Sequence, residues 1–218
     1  MTTTPRRLFA IFARDAAVAA IVCRGPTHWS QIVEWDTRRD ILTEGAWFRG
    51  RIYADRCDVS PDGQLFLYFC HGGAMRRGYK DSWTAVSRLP WLHALGLWPW
   101  GTTYGGGGRF TGNRELVLRT AMATKTHPKH PAEGLRVSIL ERREDLAVHR
   151  STGEPGTDWS GVDHDGRVVF ARAGKLFRRS RAGEDRELGD FNERTPAPEA
   201  APEWARIPLG AGRAGRRR

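Results

Sequence analysis

The sequence predicts an all-β chain, a small β-propeller-like array of about four four-stranded units. Three observations predict it. A Trp-x-x-Gly-x-x-Tyr segment occurs twice, as Trp47 to Tyr53 and Trp98 to Tyr104, 51 residues apart. Turn-forming clusters centre near 15, 62, 112 and 165, at spacings of 47, 50 and 53 residues. Short apolar runs lie between these turns, and no segment keeps a helical period. Repeats of about 40–50 residues suit units of four strands. A lone four-stranded sheet cannot cover both of its faces, so several must stack to bury a core.

The units run roughly over 8–50, 51–101, 102–155 and 156–194. The first opens with Leu8 to Ala13, turns at Arg14-Asp15 and returns through Ala17 to Val22. Strands over Trp29 to Thr37 and Ile41 to Trp47 complete it. The second opens with Cys57 to Ser60, turns at Pro61-Asp62-Gly63 and continues through Gln64 to Phe69. Proline presets the first turn position and glycine accepts positive φ, so this turn has a mechanism. Trp83 to Leu89 and His93 to Trp98 follow. The third unit has Gly108 to Phe110, a turn at Thr111-Gly112-Asn113, then Glu115 to Leu118, Leu135 to Leu140 and Leu146 to Arg150. The fourth has Trp159 to Val162, a turn at Asp163 to Gly166, then Arg167 to Phe170, Lys175 to Ser180 and Glu187 to Phe191. Residues 195–218, first rich in Pro and Ala and then in Gly and Arg, read as a flexible tail. Thr124 to Glu133, with Lys125, His127, Pro128, Lys129, His130 and Pro131, reads as an exposed loop inside the third unit.

The Ser60-Pro61-Asp62-Gly63 turn between apolar strands resembles the first hairpin of WD-like and Asp-Gly-type bacterial β-propeller repeats. The resemblance extends over most of residues 8–191, and the turns at Arg14-Asp15 and Thr111-Gly112-Asn113 depart from it. It implies a scaffold for binding proteins or small ligands, on an architecture that also carries enzymes.

Composition narrows the class. The 218 residues suit one domain or at most two, with 39 % hydrophobic residues for a core. No apolar run is long enough to span a membrane. Arg14 and Asp15 interrupt the apolar start, so it reads as a hairpin rather than an export signal. Cys23, Cys57 and Cys70 are odd in number and lack Cys-x-x-Cys spacing. They read as buried free thiols of a cytoplasmic protein, with neither a disulfide framework nor a zinc site. The net charge of +10 comes mostly from arginine and partly from the last residues. It attracts polyanions, but nucleic acid is not the favoured partner.

The candidate ligand-binding residues are Trp47, Arg49, Tyr53, Trp98, Trp100, Tyr104 and Arg109. In a propeller, the connections between units gather at one end near the axis. Aromatic surfaces with arginine donors there suit a peptide or a sugar. The same aromatics would equally serve as wedges between sheets. Gly105 to Gly108 lacks the Gly-Lys-Ser/Thr ending of a phosphate loop and reads as a close approach to a neighbouring sheet. Cys70-His71 is a sequential pair, whereas catalysis needs a spatial one. His127, His130 and His164 have no metal-ligand spacing, and no metal or cofactor is expected. The favoured reading is a non-catalytic binding or scaffolding module for a protein or small ligand. A hydrolase-type enzyme with its site at the channel mouth and a basic RNA or polyanion binder are the alternatives.

Overall fold

A computed structural model of the chain describes residues 4–25, 27–72, 79–119, 125–140 and 151–210. The described residues are all-β and form four sheets. Sheet 1 is an antiparallel meander of β1 (Arg7–Phe12), β2 (Val18–Arg24), β3 (Trp29–Asp36) and β4 (Ile41–Arg49). Sheet 2 holds β5 (Arg51–Ile52), β6 (Asp58–Val59), β7 (Leu65–His71), β8 (Ser82–Arg88) and β9 (Gly96–Pro99). Sheet 3 holds β10 (Gly108–Gly112), β11 (Glu115–Leu118) and β12 (Arg136–Ile139). Sheet 4 is a second meander, β13 (Trp159–Val162), β14 (Val168–Arg172), β15 (Lys175–Arg179) and β16 (Asp185–Asp190). No helix among the described residues is long and apolar enough to cross a membrane.

Strand alternation explains how the sheets stack. Side chains two apart share a face, so a strand buried on both faces feeds two cores. In β2, Ala19, Ile21 and Cys23 face Trp159, Val169 and Leu176 of sheet 4, while Ala20 and Val22 face Val59, Phe66 and Tyr68 of sheet 2. In β7, Phe66, Tyr68 and Cys70 face sheet 1, while Leu65 and Leu67 face Phe110, Leu116 and Leu118 of sheet 3. The packing order is therefore sheet 4, sheet 1, sheet 2, sheet 3, with a core in each interval. The first strands follow the same order: β1 neighbours β13 and β6, and β6 neighbours β10.

The turns interlock at one end of the sheets. His164 Nε2 donates to the Ala13 carbonyl at 2.6 Å. The Asp15 amide donates to the Pro61 carbonyl at 2.9 Å. The Asp62 amide donates to Asn113 Oδ1 at 3.1 Å. Each contact joins the first hairpin of one sheet to that of the next, at the turn positions read from the sequence. The Ser60–Gly63 and Asp163–Gly166 turns close alike, with a glycine at φ +75° in both.

Several expectations are corrected. The strand expected over Cys57 to Ser60 is present as β6, but a further short strand, β5, precedes it; both pair with β7, and a 3₁₀ turn, Ala54–Arg56, separates them. In the third unit β12 runs parallel to β11 and so does not continue a meander. The reason lies in the preceding loop, which pairs with the outer edge of sheet 2. The His127 amide donates to the Leu97 carbonyl at 2.8 Å, and the Leu97 amide donates to the His130 carbonyl at 3.2 Å. The chain thus crosses over before returning. This loop is not simply exposed, since His127 and Ala132 are buried. The strand expected over Leu146 to Arg150 lies outside the described residues. Beyond β16, residues 195–200 are exposed, and contacts with the sheets are made on either side of them. Phe191 enters the core between sheets 1 and 4, Ala205 and Leu209 are buried, and α1 (Glu203–Arg206) packs near β8. Arg88 and Arg114 hold the carbonyls of Ile207 and Leu209 at 3.0 and 2.7 Å.

Candidate functional site

The end of the sheets opposite the interlocked turns carries the connections between units. Arg7 opens β1 and Arg24 closes β2, and the hairpin register sets them directly opposite each other. Arg51 opens β5 beside them. Burial, then the charges of Arg51 and Arg7, lower the pKa of Arg24. Like charges facing each other across a strand pair are unfavourable, and half-burial strengthens the repulsion. Among the described residues no carboxylate lies within ion-pair distance of Arg7, Arg24 or Arg51. The neighbouring acid, Asp55, lies 3.9 Å from Arg56.

Tyr53 sits against this cluster. The guanidinium carbons of Arg51 and Arg56 lie 4.8 and 5.2 Å from its ring centroid. Arg56 reaches onward to the second connector, donating from Nη1 to the carbonyls of Thr103 and Gly105, both at 2.7 Å. Gly105, Gly106 and Gly107 all have φ near +80°, and the backbone there runs hard against sheet 2. A Cβ on Gly106 would meet the Phe69 ring at 2.3 Å, and one on Gly107 the Arg56 carbonyl at 2.4 Å. The glycine run is thus a close approach to a neighbouring sheet, as its composition suggested.

The seven residues singled out from the sequence separate. Tyr53, Trp100 and Tyr104 share one region, joined through Arg56 and the connector backbone. Trp100 Nε1 donates to the Tyr104 carbonyl at 2.6 Å, and the Tyr104 side chain is left 87 % exposed. Trp98 is 4 % exposed and belongs to the core between sheets 2 and 3. Trp47 pairs with Gln31 in sheet 1 and lies under the Arg6 guanidinium, 5.7 Å from its centroid. Among the described residues no ring contact joins Trp47 to Trp98, Trp100 or Tyr104. Arg49 is exposed opposite Trp29, and Arg109 is half-buried with its Nε unpartnered. Both tryptophans of the repeated motif therefore lie within the last strands of their sheets, Trp98 in a core and Trp47 partly exposed.

Sequence reasoning missed Arg7, Arg24 and Arg56. A signal for the first two existed, because folding the first hairpin about Arg14-Asp15 sets residue 7 against residue 24. No such signal existed for Arg56, whose role depends on a connector 47 residues away.

Other chemistry is quiet. Cys23, Cys57 and Cys70 are buried free thiols, and burial raises the pKa of each. Cys70 faces the core, so it forms no nucleophilic pair with His71, which lies 3.7 Å from Asp81. Asp55 is exposed while Asp58 is buried. Among the described residues no group of three His, Cys, Asp or Glu side chains is placed to hold a metal.

The site is one partly buried arginine, Arg24, flanked by the exposed Arg7 and Arg51, with an aromatic platform beside them, suited to carboxylate or phosphate oxygens. The chain matches no protein-family model, no curated protein and no solved structure.

Proposed function

We propose that this protein is a non-catalytic binding module, built as a four-unit β-propeller of the WD-like kind, whose connector end takes an acidic segment of a partner protein. The observation that carries the reading is the convergence of Arg7, Arg24 and Arg51 beside Tyr53, where among the described residues no carboxylate forms an ion pair with them and Asp55 acts on Arg24 only from a distance. Such clustering costs stability in the free protein, and an anionic ligand relieves it. The four stacked sheets and interlocked first hairpins support the propeller part of the reading. Buried thiols and the lack of an assembled catalytic group among the described residues favour binding over hydrolysis.

The test is fluorescence anisotropy with a labelled hexaglutamate peptide. Saturable binding is expected, and it should weaken as salt rises because the contacts are near the surface. The Arg24→Gln and Arg51→Gln double variant should bind about tenfold or more weakly. Absence of peptide binding, with tight and steeply salt-dependent binding of a single-stranded RNA, would move the assignment to a polyanion binder.

A further inference from the structure

A second group of chemistry-bearing side chains lies at the outer edge of sheet 2. The turn between β8 and β9, the 125–134 loop and the docked C-terminal segment meet there. They enclose a cavity of about 200 Å³ lined by His93, His130, Lys129, Glu133, Arg206 and Pro208. This is smaller than the roughly 300–1,000 Å³ of sites for drug-sized ligands. It has room for a small ion and its water.

Its walls are prearranged. His130 Nδ1 lies 2.7 Å from the Ala94 carbonyl, so that nitrogen carries the proton. Nε2 then accepts from the Tyr79 hydroxyl at 2.8 Å. His127 stacks on Tyr79 at 4.2 Å, and its Nδ1 accepts the Lys129 amide at 3.3 Å. These contacts fix the imidazole of His130 and the backbone that carries Lys129. The ring of His93 lies edge-on to His130 at 6.3 Å. Among the described residues neither nitrogen of His93 is hydrogen-bonded, and no carboxylate pairs with Lys129 or Arg206. Glu133 is the single acid in the wall. Two unpaired cations against one carboxylate leave the cavity positive, with the unbonded imidazole of His93 beside them.

We infer that this cavity binds a small tetrahedral oxyanion, phosphate or sulfate in type, between Arg206 and Lys129, with His93 as a third donor. Guanidinium and ammonium groups supply charge-assisted hydrogen bonds to such oxygens, and Arg206 offers a planar fork. Burial and the nearby Arg206 lower the pKa of His93. A bound anion opposes both effects, so binding and protonation of His93 favour each other. This site is independent of the connector arginines, which lie at the other end of sheet 2.

The test follows the His93 and His130 ring signals by NMR as sodium sulfate replaces sodium chloride at constant ionic strength. A saturable shift of both rings is expected, tighter at about pH 5.5 than at about pH 7.5. Arg206→Gln, an exposed position, should weaken it about tenfold or more. Arg51→Gln should leave it unchanged. Competition by phosphoserine would identify the ion as one carried on an ester, and competition by inorganic phosphate alone would identify a free ion. A shift that never saturates, or an Arg206→Gln protein that binds sulfate as wild type does, overturns the assignment.

Discussion

Arg14 reaches from the first turn to the buried carboxylate of Asp58, its Nη1 lying 3.6 Å from Oδ2, and thereby ties three sheets together. The same Oδ2 accepts the Phe110 amide at 2.6 Å, and Arg14 Nη2 donates to the Phe110 carbonyl at 2.7 Å. One acid and one base thus complete the edge of β10, which belongs to a third sheet. Asp58→Asn leaves the Arg14 charge unmatched and one acceptor lost. Because Arg14 is partly exposed, the cost should be about 2–3 kcal/mol, below that of a fully buried pair. Urea unfolding measures it, and an unchanged midpoint would show that backbone pairing alone joins these sheets.

Arg178 performs the corresponding task between sheets 4 and 1. From β15 its Nη1 reaches Asp40 at 2.7 Å and its Nη2 the Thr37 carbonyl at 2.8 Å, while Nε lies 3.0 Å from Asp163. Its guanidinium also covers Trp35 at 5.1 Å, and Arg186 pairs with Asp40 from outside. A lysine cannot reproduce a planar fork that bonds the Asp40 carboxylate and the Thr37 carbonyl together. Arg178→Lys should therefore lose about 2–3 kcal/mol although the charge is kept. A thermal midpoint equal to wild type would reduce this network to surface electrostatics.

The glycine run gives a paired test of close approach. Gly106 and Gly153 have nearly the same positive φ, +79° and +76°, but only Gly106 has a neighbour in reach. Gly153→Ala should cost about 1 kcal/mol, the backbone penalty alone. Gly106→Ala adds a collision with Phe69 and should cost about 2–4 kcal/mol. Equal losses in the two variants would mean that the connector shifts freely off sheet 2.

The hairpins were the most legible part of the sequence. Ser60-Pro61-Asp62-Gly63 and Asp163 to Gly166 carry their own turn chemistry, so both strands flanking each turn follow from local residues. The Trp47 and Trp98 repeat was legible as periodicity, but not which of its residues would be buried. A tryptophan in an edge strand and one in a connector look alike until the pairing is known. The parallel β12 was not legible, because its direction depends on the 125–134 loop bonding to Leu97 in another unit. For the same reason Arg88 and Arg114 gave no local sign that they would hold the carbonyls of Ile207 and Leu209.

The three cysteines provide a solvent-accessibility test. All are buried, and burial pushes the Cys23 thiol up to about 11 and the other two upward as well. A thiol that is neither exposed nor ionised reacts slowly with aromatic disulfides. The native protein should release almost no chromophore at neutral pH, and the denatured protein should titrate three thiols. Rapid reaction of one thiol in the native protein would place Cys23, Cys57 or Cys70 at the surface.

The imidazole of His130 predicts how stability changes with pH. Its pKa is lowered from 6.5, first by burial and then by His127, His93 and Lys129, with the Ala94 carbonyl opposing. Below 6.5 the unfolded chain takes up a proton that the folded protein resists. Unfolding is then favoured as pH falls, and the full stability returns above 6.5. The sign is opposite to that of a histidine held by a carboxylate, whose contribution is lost as pH rises. Protonation also costs the Tyr79 hydroxyl its acceptor at Nε2. Urea midpoints between about pH 5.5 and 7.5 leave the carboxylates ionised, so the histidines dominate the change, and a His130 variant separates its share. Wild type should weaken steadily toward the acid end, and His130→Gln should show a shallower dependence from a lower starting point. Parallel curves for the two proteins would assign the acid sensitivity to His93 or another histidine.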